Sequence, residues 1–394
     1  MSFIHLFKKW AANRDLAFAV LILIVCLVMA FSPAEFSSPF SQQVNRQLGR
    51  VIDVDNSNIQ QYGIVKAGDQ SITAELLTGE QKGETIQAIN MLLGKMETDK
   101  MFSPGDRVYL VMPSATNTGQ IATAYDHYRL DIELLLVLLF AVLLVGFAGW
   151  SGVRALLSFI FALLLMWKVL LPGMLQGNDP VLTALAVVLL IAAVTLFLVA
   201  GVGKTALVAF IGAASGIFIT IGLSFMLFPP FHLHGAVLPF SETLLYSGYE
   251  HLDLIRIFLA AVFLGASGAV IDVSIDVSAS MNEVVEKRPD LSRIELIRSG
   301  FAVGRAMTST MVTTLLMAYT AGYLALLMVF MAQGIPPANI LNTNYLAAEI
   351  LRTVVGSFGL VTVAPLTAVV GGLIYAHRAQ RTEQASEPVT ESGI

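Results

Sequence analysis

IRIFLAAVFLGASGAVIDVSIDVSASMNE, residues 255–283, decides how this chain is read. It is an apolar run long enough to cross a bilayer as a helix, and it carries two aspartates, Asp272 and Asp276. Four residues is just over one helical turn, so both carboxylates face the same direction. Ionised side chains at bilayer depth cost several kcal/mol even on the lower scales, about 2.5–3.5 kcal/mol, so they usually face a bundle interior and carry function. Downstream lies FAVGRAMTSTMVTTLLMAYTAGY, residues 301–323, with a cation and a hydroxyl stripe in a second apolar run. Arg305 is the natural partner of the carboxylates. Thr310, Thr313 and Thr314 share a face and can line a hydrated path, or bond their own backbone and neighbouring helices. Asp272, Asp276, Arg305, Thr310, Thr313 and Thr314 are therefore the candidate ion or proton relay.

The rest of the chain agrees with a membrane setting. Of its 394 residues 56% are hydrophobic and 13% charged, and the mean hydropathy is +0.74. A soluble domain needs more polar surface. Spanning stretches are expected near 16–33, 131–149, 153–172, 180–200, 206–228, 255–282, 301–331 and 349–376, which makes about eight helices. The first follows Lys8, Lys9 and Arg14 and can be read as a signal peptide, but its length and Pro33 favour a retained helix. Lys and Arg then fall on one side: Lys8, Lys9, Arg14, Arg154, Lys204, Lys287, Arg288, Arg293, Arg298, Arg378 and Arg381. The loops 173–179, 229–254 and 332–348 hold no Lys or Arg. The positive-inside rule places both termini in the cytoplasm and residues 34–130 on the outer side of the membrane.

The expected division is 1–33, a cytoplasmic N-terminus and first helix; 34–130, a β-rich outer domain; 131–377, a seven-helix membrane domain; and 378–394, a disordered cytoplasmic tail. The fold class is thus mainly α, a polytopic helix bundle with a small β-barrel-like domain after its first helix. Within that domain AEFSSPFSQQ reads as a linker and SATNTG (114–119) as a loop tip. GRVIDVDNS (49–57), SITAELLTG (71–79), GDRVYLVMP (105–113) and GQIATAYDHY (119–128) alternate as strands. ETIQAINMLLGK (84–95) has the spacing of a helix at Ile86, Ile89, Leu92 and Leu93. Four or five strands and one helix suggest an OB-like barrel.

Several of these segments together resemble the YibE/F-like family of bacterial membrane proteins over most of the chain. The pieces are GRVIDVDNS with SPGDRV, GAVIDV (268–273), TMVTTLLMAY (310–319) and AEILRTVVGSFGLVTVAPLTA (348–368). The resemblance implies one outer domain after the first helix and no assigned activity. It also implies a small residue one turn after the first aspartate, where this chain has Asp276, and an Asn where it has Thr313. A weaker layout similarity to SecF and the RND transporter superfamily lies in the order of helix, outer domain, acidic helix, Thr-rich helix and Gly-Ser-bearing last helix. That similarity implies a proton relay.

Other motifs have ordinary readings. GVGKT (201–205) lacks the first glycine of a phosphate loop and sits between two spans, so it is a turn with a topology charge. His232, His234 and His251 share one outer loop and are the candidate metal ligands. Glu349 and Arg352, at i and i+3, read as a structural pair. Gly212 and Gly216 in GAASG, with Gly265, Gly268 and Ala269, read as close helix packing. A single cysteine, Cys26, excludes a disulfide framework within one chain. A net charge of −5 gives no nucleic-acid footprint. The expected function is an ion- or proton-coupled transporter or translocation component. The alternative is a non-transporting assembly or regulatory partner whose outer domain binds another protein. No enzyme motif and no cofactor are expected. The expected partners are the lipid bilayer and either a second copy or another membrane protein; the substrate has no signature.

Overall fold

The computed structural model describes residues 14–32, 45–112 and 121–386, with side chains described to residue 375. The linker at 34–43, the loop tip at 114–119, Lys8, Lys9 and the last eight residues lie outside the described residues. The chain forms two compact units. One is Phe36–Leu143, and the other joins Met1–Glu35 to Leu144–Ile394.

The smaller unit contains a closed barrel of five strands, β1 (Arg46–Tyr62), β2 (Val65–Leu76), β3 (Thr85–Leu93), β4 (Arg107–Val111) and β5 (Ala122–His127). They follow the order β1-β2-β3-β5-β4, with β3 and β5 parallel. β1 is long enough to pair with both β2 and β4, and its two register shifts let it bend around the barrel. The segment expected as a helix, 84–95, is instead β3. Its inward positions are Ala88, Asn90 and Leu92, an alternation that the polar Asn90 conceals from a hydrophobicity count.

Asn90 belongs to a buried network around Gln70. The Gln70 amide donates to Asn56 Oδ1 at 2.9 Å and to the Phe102 carbonyl at 2.9 Å. Its oxygen accepts from Asn90 Nδ2 at 3.1 Å and the Phe102 amide at 3.0 Å. Gln70→Leu strips these partners at once, and each buried group left unsatisfied costs about 1–3 kcal/mol. We expect this variant to lose protease resistance in residues 45–128 of the intact protein. Digestion as slow as wild type would show that the network is dispensable.

The larger unit is a helix bundle. Its elements are α1 (Arg14–Phe31), the second part of α2 (Leu130–Leu175), α3 (Pro180–Val199), α4 (Lys204–Leu227), the short α5 (Ser241–Tyr246), α6 (Leu254–Lys287), α7 (Arg293–Ala321), α8 (Leu324–Ala332), the short α9 (Pro337–Leu341) and α10 (Asn344–Ser386). Among the described residues six helices are long and apolar enough to cross a membrane, or seven if α7 and α8, bent by 66°, make one span. The expected eight is reached only if α2 is divided. The division is real at Gly149, whose φ of 56° and ψ of −130° are not helical. A Cβ at Gly152 would lie 2.5 Å from the Leu144 carbonyl oxygen, an approach that a straight helix forbids eight residues apart. The tail was expected to leave the helix at 378, but α10 continues to Ser386 because that stretch lacks Gly and Pro.

α6 packs against α3, α4, α7 and α10. The α4–α10 seam is built on small residues: a Cβ at Gly212 would lie 2.0 Å from Thr367 Oγ1, and one at Gly216 would lie 3.3 Å from the Gly359 carbonyl. Cross-links between helix ends fix which ends lie together. Asp15 Oδ1 accepts from the Val202 amide at 2.8 Å, and Lys168 Nζ donates to the Ser32 carbonyl at 2.8 Å. Asp179 pairs with Arg256. At the end opposite to those last two contacts, and thus with Asp15 and Val202, Ser278 Oγ donates to the Thr205 carbonyl and meets Tyr375 Oη, both at 2.8 Å. These contacts are what alternating spans require.

Candidate functional site

Ser278 sits level with Thr205 and so marks where α4 begins, while α6, α7 and α10 stay packed beyond it around Met281, Leu296 and Gly300. Asp276 is two residues away, about 3 Å along the axis, and Asp272 is six residues away, about 9 Å deeper. On α6 the packed positions include Val270, Val273, Ser274, Val277, Ser278 and Met281. Gly265, Gly268, Asp272 and Ala279 form an exposed stripe on the other side, with Asp276 half-buried along it. A Cβ at Gly268 would meet nothing within 4 Å. The expected packing role therefore holds for Gly265, which abuts Tyr319, and fails for Gly268.

Arg305 is not where the sequence suggested. Its neighbour Gly304 lies against Ala364 and Val277, which puts Arg305 at the level of Asp276, and its side chain is exposed. Among the described residues no ion pair joins Arg305 to either aspartate. The physical reason is helix phase. Gly300, Gly304 and Leu315 form the buried edge of α7, so Arg305 is turned aside.

Thr310, Thr313 and Thr314 are exposed on α7. Thr310 Oγ1 donates to the Met307 carbonyl at 3.0 Å and Thr314 Oγ1 to the Thr310 carbonyl at 3.2 Å. These two hydroxyls are satisfied by their own helix rather than by a second one.

The candidate metal residues do not converge. Among the described residues no group of three His, Cys, Asp or Glu side chains could hold an ion. His234 lies 3.4 Å from Asn344 Nδ2, whereas His251 lies beside Tyr249 and Gly177. GVGKT is a turn whose Val202 amide is taken by the carboxylate of Asp15.

Charges at the helix ends are tuned locally. Burial alone would raise the Asp179 carboxyl, but the Leu182 and Val181 amides and Arg256 outweigh it and hold the group below the usual range. In the loop between α6 and α7, hydrogen bonding to Arg288 holds Asp290 at about 2. Both groups anchor loops and do not face the α6 stripe.

A second polar cluster was underestimated from sequence. Glu349, 5% exposed, accepts from the Arg352 guanidinium at 3.0 Å, as the i, i+3 spacing suggested. Tyr323 lines the same small cavity as Glu349. The Arg352 guanidinium stacks on the Tyr319 ring with its carbon 4.7 Å from the centroid. The two tyrosines come from another part of the chain, so spacing could not find them. The signal present was an acidic residue inside an apolar run.

Residues 136–377 match the model of the family described as YibE/F-like protein, and residues 42–125 match the YibE/F family N-terminal domain. No curated protein and no solved structure matches the chain, so the similarity to SecF rests on layout alone.

Proposed function

The chain belongs to the YibE/F-like family of membrane proteins, and from that premise we propose that it is an ion- or proton-coupled transport or translocation component in which Asp272 titrates. The observation that carries this reading is the exposed Asp272 on α6, without an ion pair among the described residues and about 9 Å deeper than the start of α4. An ionised aspartate against hydrocarbon costs about 2.5–3.5 kcal/mol on insertion scales. A structural role does not require that cost, because an apolar residue would serve there better. A water-lined groove removes it and leaves the carboxylate free to exchange a proton or bind a cation. Asp276, nearer the bundle's end, links the groove to bulk water.

The positive-inside distribution orients the bundle in the plasma membrane. The Thr205 end and both termini face the cytoplasm, and the barrel lies outside. No hydrolytic or nucleotide-binding motif supports an enzymatic reading.

The partner-binding alternative has one observation in its favour. The barrel presents Ile64 and Met96, 83% and 67% exposed, on a groove of about 210 Å³. Apolar surface of that kind fits a protein contact, and it is compatible with transport.

Thiol labelling tests the orientation and the groove together. With Cys26 replaced by Ser, cysteines at Gly268 and Ala279 are expected to react with a membrane-impermeant maleimide from the cytoplasmic side. A cysteine at Phe218, exposed on α4 towards lipid, is expected to stay unreactive. A cysteine at Thr118 should label only from outside the cell. If position 268 is as inert as 218, the stripe faces lipid and the reading fails.

A further inference from the structure

The geometry points to a second proton-exchange site, formed by Glu349, Tyr323, Tyr319 and Arg352, at the outer end of a route that leads to Asp272. The inference rests on the reading of Asp272 as the titrating group and adds where the proton enters.

Glu349 lies five residues inside α10, and with Thr320, Tyr323 and Thr353 it forms the polar side of a cavity of about 120 Å³ whose other walls are apolar, Leu316, Leu327 and Leu346 among them; water is held on the polar side. Arg352 keeps the carboxylate company, yet its own Nε has no hydrogen-bond partner. Tyr319 is the unusual member. Its hydroxyl is buried without a hydrogen-bond partner among the described residues, and unsatisfied buried hydroxyls are costly. A Cβ at Gly265 would lie 2.8 Å from that oxygen, and one at Gly356 would lie 3.9 Å from it. Two helices therefore present glycine to the same hydroxyl, and larger side chains would close the space around it.

From Gly265 the exposed α6 stripe runs through Gly268 to Asp272, seven residues or about 10.5 Å. Polar groups thus recur from the outer cavity to the cytoplasmic end: Glu349, Tyr319, Asp272, Asp276. A buried ion pair that only pins helices needs no orphan phenol, no adjoining cavity and no facing glycines.

The transfer balances with water as carrier. The Glu349 carboxylate takes a proton from hydronium in the cavity, leaving water. It releases that proton through water to the Tyr319 oxygen, while the phenol's own proton leaves along the stripe. The Asp272 carboxylate receives it. Tyr319 ends neutral, and one proton has moved.

The test uses full-length protein in liposomes that enclose a pH-sensitive dye. Glu349→Gln, which keeps the shape and can still accept from Arg352, is expected to slow proton entry at least about tenfold without lowering Tm. Tyr319→Phe is expected to slow it as well, and it serves as the readout if Glu349→Gln does not fold. In a Cys26→Ser background, a cysteine at Thr320 should react with an impermeant maleimide from the outer side of the membrane only. Wild-type flux with full flux in both variants overturns the second site, and so does a Thr320 cysteine unreactive from that side. Absence of flux in the wild type overturns instead the reading of Asp272 on which the site rests.

Discussion

Gly359→Leu is expected to separate α4 from α10 and to cause a large loss of stability. An ideal Cβ at Gly359 would lie 1.9 Å from Thr220 Oγ1 and 3.4 Å from the Gly216 carbonyl oxygen. Thr220 cannot yield, because it is 1% exposed and its hydroxyl donates to the Gly216 carbonyl at 2.9 Å. The obstacle is backbone meeting a fixed side chain, so rotamer changes alone cannot relieve it. Overpacking of ordinary cores costs about 1–3 kcal/mol, occasionally more, and this contact belongs at or beyond the upper end. In domains of 150–250 residues each kcal/mol moves Tm by roughly 2–4 °C. Gly268→Leu is the control, since a Cβ there meets nothing within 4 Å. Thermal unfolding in detergent should show a large fall for the first and a small one for the second. Equal Tm values would mean that the α4–α10 seam is not as close as described.

Much of this was legible in the chain, and the exceptions have physical causes. Long apolar runs fix helices wherever no water competes for the backbone, so the spans at 180–200, 206–228 and 255–282 are found within a few residues. β3 escaped because Asn90 faces inward, satisfied by Gln70 and the Lys100 carbonyl, and its neighbours happen to match helical spacing. The break in α2 rests on one glycine, Gly149, in a stretch that is apolar on both sides. Asp272 and Asp276 announced themselves by chemistry. Their freedom from Arg305 did not, because pairing depends on the rotation of α7, which is set by Gly300 and Gly304 against Met281 and Ala364. The cluster at Glu349 joins residues some thirty positions apart, so its tyrosines carry no local signature.

Asp272→Asn is expected to abolish proton movement while leaving the fold intact. Asn keeps the shape and hydrogen-bonding reach of Asp but cannot take up and release a proton. Because no ion pair holds Asp272 among the described residues, removing its charge strands no partner, and stability should hold or rise slightly. Arg305→Ala should likewise be mild, since that side chain is exposed. Had the two formed a buried pair, either change would cost about 3–5 kcal/mol.

The decisive measurement is proton entry into liposomes that enclose a pH-sensitive dye, after an imposed pH and voltage gradient, for wild type and Asp272→Asn at equal protein content. The account predicts that wild type dissipates the gradient at least about tenfold faster than Asp272→Asn, which should behave like protein-free liposomes. A stable Asp272→Asn protein that conducts as fast as wild type would contradict it.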